Sequence, residues 1–337
     1  MTTLWDTTGT AVVKALAAER RLAGAVSSGL ALTLVVVVDE KRVAEAEVAA
    51  TRAAAQHPCR LLVVVRRRPD APEPRLDAEI LIGGRLGPGE AVVMRMYGRL
   101  ALHAESVILP LLAPDAPVVT WWNGEPPHLI AHDPLGVFAD RRVTDSSLGS
   151  DALLALRQRA ADYSPGDTDL TWTRTTQWRA LCASAFDAAE DPPTAARVAG
   201  QAGNASRELI AGWLQSRLGL AVTIEDSAGP GITEVEISLA DTTMRLVRGD
   251  GQTAVLSHTG QPDRTLPLPR RELGDLLAEE LQRLDADETY ADALASVTGT
   301  HDLSARTQLR RHIWVDPAQH LSESILVEGV AKVDERS

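Results

Sequence analysis

Lysine is nearly absent from this 337-residue chain, which contains only Lys14, Lys41 and Lys332. The sequence also has no G-x-x-x-x-G-K-[ST] motif, which excludes a P-loop for nucleotide phosphates. A Schiff-base or general-base lysine has three candidates, and none lies in a persuasive setting. The sequence therefore disfavours both a P-loop nucleotide site and a catalytic lysine.

Cysteine and positive charge are scarce as well. Cys59 and Cys182 form neither a metal-ligand spacing nor a disulfide framework, and buried, reduced thiols are favoured over a redox switch. With 46 acidic against 34 basic residues, the net charge is −12, which argues against nucleic acid and anionic membranes as partners. The triplet Arg66–Arg68 is interpreted as a solvated strand end.

Long hydrophobic runs are missing too. The longest, Leu30–Val38, is interrupted by Thr33 and is far too short to span a bilayer. The first residues lack the basic flank and apolar stretch of a signal peptide, so we expect a cytoplasmic protein. A hydrophobic content of 45% is that of a soluble globular protein, and the length favours two domains.

Aromatic residues make up only 4% of the chain, yet four of its seven tryptophans fall in two short windows. Trp121 and Trp122 lie in the first window, and Trp172 and Trp178 in the second. Such rare, bulky residues mark either a core that needs filling or a surface that binds something. Trp178 lies on an apolar helical stripe, which favours the core for it.

Strands and helices alternate along the N-terminal half. The β-branched run Leu30–Val38, a helix from about Glu40 to Ala55 and the run Leu61–Val65 predict a βαβ unit. Further strands are expected at Ala78–Ile82, Ala91–Tyr97 and Val118–Trp122, with a helix between Arg99 and Leu112. We therefore predict an α/β protein whose residues 1–148 form a Rossmann-like, doubly wound open sheet.

Residues 149–300 mix helices with short strands of alternating pattern, which predicts an α+β domain. Helices are expected at Thr176–Ala189, Ala205–Leu218 and Leu273–Leu284. The alternation of Val235, Ile237 and Leu239 suits an antiparallel strand with one wet face. Residues 301–337 are assigned as a C-terminal tail.

The predicted sheet lacks a dinucleotide fingerprint. The turn after its first buried strand reads Asp39–Arg42, with two carboxylates where a phosphate would bind. The glycine-rich turn Gly83–Gly89 leads into a strand and is interpreted as a tight hairpin. The chain has no G-x-S-x-G or H-E-x-x-H motif, and prolines around His128 and His132 favour a loop over a metal site. No cofactor is expected.

Two strand ends carry polar residues of candidate function. In open α/β sheets, ligands bind beyond the carboxyl ends of the strands. If the two ends are neighbours, they form a ligand crevice, whose candidate residues are Trp122, Asn123, Asp145 and Ser146.

A second candidate surface lies in the later tryptophan window. Trp172 and Arg174 precede the helical stripe and are expected to be exposed, and Trp and Arg are enriched at interface hot spots. The candidate partner-binding residues are Trp172, Arg174 and Arg179, followed by Trp122 and Asn123.

A set of short segments occurs in order along most of the chain: His57–Arg60, Pro117–Trp122, Arg142–Ser146, Asp169–Arg174, Trp178–Arg179, Gly212–Leu214 and Arg217–Gly219. Each motif is short, but the ordered set is specific. Through these segments the chain resembles the family of the glucose-6-phosphate dehydrogenase assembly protein OpcA.

The resemblance implies a non-catalytic protein that binds glucose-6-phosphate dehydrogenase and promotes its active oligomer, as an allosteric effector in the oxidative pentose phosphate pathway. The alternative is a sugar-phosphate-binding sensor or enzyme that uses the crevice at the strand ends. The sequence does not indicate the protein's own oligomeric state. Some relatives are controlled by thioredoxin through cysteines, which two cysteines alone do not support here.

Overall fold

The computed structural model describes residues 1–24, 30–83, 89–186 and 191–307. Within these residues the chain forms two compact units, Met1–Arg142 and, from Val143 onward, residues 143–307. Residues 84–88 of the glycine-rich turn and residues 308–337 of the tail, including Trp314, lie outside the described part. The division between the units falls a few residues before the boundary at 148 that the sequence suggests.

The first helix of the first unit, α1, is capped by Thr8. The Thr8 side chain accepts a hydrogen bond from the amide of Ala11, so one amide of the first turn that lacks an intrahelical acceptor is satisfied. The elements of this unit are β1 (Thr2–Leu4), α1 (Gly9–Leu22), β2 (Leu32–Val38), α2 (Val43–Gln56), β3 (Cys59–Arg67), β4 (Arg75–Ile82), β5 (Glu90–Tyr97), α3 (Arg99–Leu102), α4 (Glu105–Ile108) and β6 (Val118–Asn123).

The strands of this unit lie in the order β1, β4, β5, β3, β2 and β6. The four strands from β5 to β6 are mutually parallel, and β4 pairs antiparallel with β5. All seven residues of β2 are buried, as its unbroken β-branched run predicts for a strand covered on both faces. The hairpin prediction is confirmed, since Ile82 pairs with Glu90 across the glycine-rich turn.

One predicted helix of this unit is wrong. The segment expected to form a single helix from Arg99 to Leu112 forms two four-residue helices and a 3-10 turn at Leu109–Leu111. Pro110 lies in that turn and has no amide hydrogen to continue an α-helical ladder.

The second unit contains its own sheet and a layer of helices. The chain enters it through β7 (Arg141–Thr144), and the remaining elements are α5 (Ala152–Ala161), β8 (Asp167–Asp169), α6 (Leu170–Thr173), α7 (Thr176–Phe186), β9 (Ala195–Gly200), α8 (Ala205–Leu218), β10 (Val222–Asp226), β11 (Ile232–Ser238), β12 (Thr243–Val247), β13 (Thr253–His258), β14 (Arg264–Pro267), α9 (Leu273–Gln282) and α10 (Glu288–Thr298). The sheet has the order β10, β9, β11, β12, β13 and β14, and only β10 and β9 pair in parallel.

Helices α8 and α10 pack closely at Gly212. A Cβ atom built on Gly212 would lie 2.5 Å from the carbonyl oxygen of Ala293 and 2.6 Å from Cγ2 of Val297. Glycine is therefore required for the close approach of the two helices. At its other end α8 is capped by Asn204, and it stops at Gly219, which has a left-handed backbone with φ of 68°.

Surface properties follow the composition. Lys14 and Lys41 are both exposed in the first unit, and residues 143–307 contain no lysine. Among the described residues, no helix combines the length and apolar character that crossing a membrane requires.

Candidate functional site

Trp172 is buried, in contrast to the expectation from the sequence. Its side chain is 1% exposed and belongs to a core cluster with Leu209, Tyr290 and Leu294. Its ring centroid lies 5.9 Å from that of Tyr290, in a tilted arrangement. The four-residue helix α6 turns the side chain inward between α8 and α10, which a stripe analysis of the following helix does not reveal.

The indole of Trp172 is held on two sides by charged groups. Its Nε1 donates a hydrogen bond of 2.8 Å to Oδ2 of Asp287, whose Oδ1 accepts the amide of Tyr290 and so caps α10. The guanidinium of Arg179 lies over the ring, 3.6 Å from its centroid. We call Trp172, Arg179, Asp287 and Tyr290 the Trp–Arg cluster.

Arg179 keeps its charge within this cluster. Burial removes water from the guanidinium and lowers its pKa to about 10, while nearby Asp287 opposes that shift. Because this pKa is still well above neutrality, the side chain is cationic at physiological pH. Arg179 is half-buried, so one edge of the cluster reaches the surface of the unit.

Arg174 forms a two-pronged ion pair with Asp145. Its Nη1 donates to Oδ1 at 2.8 Å and its Nη2 to Oδ2 at 2.7 Å. The carboxylate also accepts hydrogen bonds from the amide and hydroxyl of Ser147 and from the hydroxyl of Thr171. The Asp145 side chain is buried, whereas that of Arg174 is 32% exposed.

The carboxylate of Asp169 likewise accepts several internal hydrogen bonds. It accepts the hydroxyls of Thr144 and Ser146, both at 2.7 Å, and the amides of Ser146 and Thr171. The segments that follow β7 and β8 are thus joined by two buried carboxylates, Asp145 and Asp169, which we call the two-carboxylate network. The network occupies the groups of Asp145 and Ser146 that the sequence proposes for a ligand.

Trp122 and Asn123 are buried in the first unit, so neither side chain lines an open crevice. Both adjacent tryptophans of β6 are inside, Trp121 at 0% and Trp122 at 2% exposed, because this strand, like β2, is covered on both faces. Within the described part of the chain, Nε1 of Trp122 and both amide atoms of Asn123 have no hydrogen-bond partner. These orphaned polar atoms are unusual in a buried position.

The turn after β2 carries carboxylates, as the sequence suggests. Glu40 lies in a 3-10 turn, Glu40–Arg42, and accepts a hydrogen bond of 2.6 Å from Nε of Arg67 on β3. A phosphate at this turn would meet negative charge rather than the free amides of a glycine-rich loop.

The second unit contains a cavity of about 330 Å³ that the sequence analysis missed. Four arginines contribute to its lining, and we call it the basic pocket: Arg174, Arg248, Arg270 and Arg271. Trp178 also lines it, and the guanidinium of Arg248 lies 5.1 Å from the centroid of that ring. The prediction that Trp178 packs in the core is confirmed, since it is 1% exposed.

No local sequence signal could have revealed this pocket. Arg248 and Arg270 follow different strands and are separated by 22 positions, and the sheet brings them together beside Gly231. No motif connects an arginine after β12 with one in the connection from β14 to α9.

Both cysteines are buried thiols, as predicted. Burial raises the pKa of Cys59 and that of Cys182 to about 12. Across residues 1–24, 30–83, 89–186 and 191–307, no three His, Cys, Asp or Glu side chains are arranged to hold a metal ion.

Two family profiles match this chain in succession. One, described as the N-terminal domain of the glucose-6-phosphate dehydrogenase subunit, matches residues 50–161. The other, described as the C-terminal domain of that subunit, matches residues 165–294. The chain belongs to the OpcA family. The resemblance carried by the ordered motifs is thereby confirmed.

A curated OpcA relative aligns with part of the chain. The "Putative OxPP cycle protein OpcA" of Synechocystis sp. is 27% identical over 212 residues. The aligned region covers 57% of this chain and only 40% of the relative's own length.

Solved structures resemble the chain only distantly. An oxidoreductase from Sinorhizobium meliloti has 11% identity and a TM-score of 0.44, covering 83% of this chain and 98% of its own. An inositol dehydrogenase homologue from Azotobacter vinelandii, solved with NADH and myo-inositol, has 11% identity and a TM-score of 0.37, covering 83% and 91%. Similarity at this level does not establish a shared function.

Proposed function

We propose that this protein is a non-catalytic assembly factor and allosteric activator that binds glucose-6-phosphate dehydrogenase in the cytoplasm. Membership in the OpcA family supports a role connected with that enzyme, since both matching profiles are described as domains of its subunit. The activity belongs to the oxidative pentose phosphate pathway, the process that the curated OpcA relative carries in its name.

The observation that carries the non-catalytic part is the two-carboxylate network. Asp145 and Asp169, the carboxylates of two family motifs, are consumed by internal hydrogen bonds and by Arg174. A general acid or base needs a free proton-accepting position within reach of a substrate. Here those positions are occupied by the protein's own hydroxyls and amides, which supports a structural role for the two motifs.

The first unit is inferred to be a Rossmann-like, doubly wound scaffold that serves no dinucleotide. Its four parallel strands support this assignment. Glu40, which follows β2 and pairs with Arg67, supports the loss of a pyrophosphate site, because it places negative charge at the turn.

The partner surface is proposed to include Arg174 and Arg179, which are the partly exposed members of the original candidate set. Trp172 acts indirectly, because its buried ring supports the Arg179 guanidinium at 3.6 Å. Arginines supported by an aromatic ring and a fixed ion pair are preorganised, which reduces the entropy lost on binding. Trp122 and Asn123, the secondary candidates, are 2% and 1% exposed and are therefore not included in this surface.

Activation requires that this protein bind the active oligomer of the dehydrogenase more tightly than the inactive form. The effect is then a coupling free energy between association and activity, typically about 1–3 kcal/mol. Binding of this protein to the assembled dehydrogenase stabilises the dehydrogenase oligomer. The activation is therefore expected to be largest at low enzyme concentration, where that oligomer otherwise dissociates.

The first test is an assay of the cognate dehydrogenase with and without this protein, across a series of enzyme concentrations. Activity and the fraction of oligomer measured by mass photometry are expected to rise together. Arg179→Ala should weaken this effect, and the exposed Arg157 of α5 supplies a matched control as Arg157→Ala. If the rate, the Michaelis constant and the oligomer size of the dehydrogenase all stay unchanged, the proposal is wrong.

A second candidate function is a sugar-phosphate sensor or enzyme at the end of β6. The orphaned polar atoms of Trp122 and Asn123 favour it, because such atoms call for a partner. Calorimetric titration of the wild type and of Asn123→Leu with glucose 6-phosphate, 6-phosphogluconate and NADPH tests this candidate. A response lost in Asn123→Leu would support this candidate, and silence for all three compounds would leave the strand end structural.

A further inference from the structure

The basic pocket concentrates positive charge, and carboxylates offset only part of it. None of its lining residues is Asp or Glu, although the whole chain has a net charge of −12. Two of its arginines are neutralised, Arg174 by Asp145 and Arg271 by Glu279. The other two, Arg248 and Arg270, form no ion pair with any described residue.

These two guanidinium groups converge on one glycine. A Cβ atom built on Gly231 would lie 3.4 Å from Nη1 of Arg270 and 3.8 Å from Nη2 of Arg248. Each side chain is anchored by one backbone carbonyl, Arg248 by that of Ile232 at 3.0 Å and Arg270 by that of Pro230 at 2.7 Å. Since a guanidinium has five N–H donors, both keep donors available for a ligand.

Holding the two guanidinium charges close together is electrostatically unfavourable. Burial, and after it the neighbouring charge of Arg270, together lower the pKa of Arg248 to about 10. A carboxylate beside Arg248 would have opposed this lowering of its pKa. An anion between the two groups would remove both penalties.

The N-terminus of α8 contributes to the same cavity. Asn204, its cap, and Ser206 in its first turn both line the pocket. The cap side chain accepts the amide of Arg207 at 3.1 Å, which leaves earlier amides of the turn without an intrahelical acceptor. The end of a 14-residue helix adds a partial positive charge to that of the arginines.

The remaining lining defines the rest of the ligand. Gln177, Gln201 and Ser147 line it with amide and hydroxyl groups, although the Ser147 hydroxyl donates to Asp145 and the Gln201 oxygen accepts from Gly231. Leu268 and Trp178 provide limited apolar surface. A volume of about 330 Å³ is at the small end of ligand sites. Two unpaired guanidiniums match a dianion better than a single carboxylate, because phosphate presents several oxygens to both forks.

We propose that the basic pocket of the second unit binds a small, hydroxyl-bearing organic phosphate, with the phosphate group held by Arg248 and Arg270 at the N-terminus of α8. The site lies within residues 143–307 and differs from the strand-end crevice suggested by the sequence. Its test uses this protein alone and does not depend on a dehydrogenase partner.

The experiment titrates the full-length protein by calorimetry with a hexose 6-phosphate, inorganic phosphate and the free hexose. Saturable binding is expected for the hexose phosphate, weaker binding for inorganic phosphate and none for the hexose. Arg270→Gln and Arg248→Gln should each weaken the hexose phosphate about 10- to 100-fold, because each removes charged hydrogen bonds.

Arg264→Gln is the matched control, since this exposed arginine of β14 lies outside the pocket and carries the same charge change. Arg270 is exposed, so its variant is expected to keep the wild-type melting temperature, and a lost affinity would not reflect unfolding. The proposal is overturned if the hexose phosphate shows no saturation at millimolar concentration, if it binds no better than inorganic phosphate, or if Arg264→Gln weakens it as much as Arg270→Gln. An acidic peptide that binds where the phosphates do not would identify the occupant as protein and also overturn it.

Discussion

Each family motif around Asp145 and Asp169 has a physical task at the level of single residues. A buried carboxylate is stable only when its oxygens are hydrogen-bonded or paired. Asp145 meets this need through Arg174, Ser147 and Thr171. These neighbours must therefore be hydrogen-bond donors, and side chains of similar volume without a donor would not replace them. The sequence order Asp-Ser-Ser and Asp-Leu-Thr-Trp-Thr-Arg encodes that pairing.

Replacing Arg174 by Ala is expected to lower the free energy of unfolding by about 1–3 kcal/mol, since it leaves Asp145 buried without its cation. The value is reduced from that of a fully buried pair because the Arg174 side chain is 32% exposed. Arg174→Lys should restore little, because an ammonium cannot donate in two parallel directions. Urea denaturation measures the loss, with Arg157→Ala as the exposed control; equal stability of all variants would contradict the role assigned here.

The residue-scale site was only partly predictable. Helical periodicity correctly places Trp178 inside, because α7 is long enough to show a stripe. Trp172 lies in a helix of four residues, for which periodicity carries no information, and its partners Asp287 and Tyr290 are more than a hundred positions away. Long-range contacts of this kind leave no local pattern in a single sequence.

At the scale of elements, the α8–α10 contact organises the second unit. The two helices share a core with Leu209 and Leu294, and Gly212 allows their backbones to approach. Helix boundaries in this region agree with the sequence pattern, because Asn204 and Gly219 supply an N-cap and a left-handed stop. The helix predicted at Arg99–Leu112 shows the converse at its end, where Pro110 lacks an amide hydrogen and a 3-10 turn replaces the last helical turn.

The variant Gly212→Ala is expected to destabilise the protein by about 1–3 kcal/mol, because the new methyl group would overpack the contact. Helix propensity alone predicts the opposite sign, a gain of about 1 kcal/mol for alanine over glycine. Thermal denaturation followed by circular dichroism decides between the two. Gln215→Ala, at an exposed position of the same helix, should change stability little, and a stabilised Gly212→Ala would show that the helices can separate without cost.

At the scale of the whole molecule, the sequence indicated the two-part organisation but not its division near Arg142. Composition and length favour two domains on general grounds, and the alternation of strands and helices distinguishes the halves. The boundary depends on which contacts β7 makes, and four residues of strand do not encode that choice. The basic pocket was likewise out of reach, because Arg248 and Arg270 meet only through the pairing of antiparallel strands.

The protein as a whole is expected to be insensitive to thiol chemistry. With a pKa of about 12 for Cys59 and Cys182, the thiolate fraction of each at pH 8 is about one in ten thousand. Ellman's reagent should therefore react slowly with the folded protein at pH 8 and quickly with two thiols in guanidinium chloride. Rapid reaction of either cysteine in the folded state would contradict its burial and would make redox regulation through that cysteine a candidate again.

The distribution of lysine has a practical consequence for labelling. Lys14 and Lys41 are exposed in the first unit, Lys332 lies beyond the described residues, and residues 143–307 have none. Amine-reactive dyes and biotin esters will therefore leave the whole second unit unmodified. A protein immobilised through its amines retains an untouched basic pocket and Trp–Arg cluster, whereas amine cross-linking to a partner cannot report contacts made by that unit.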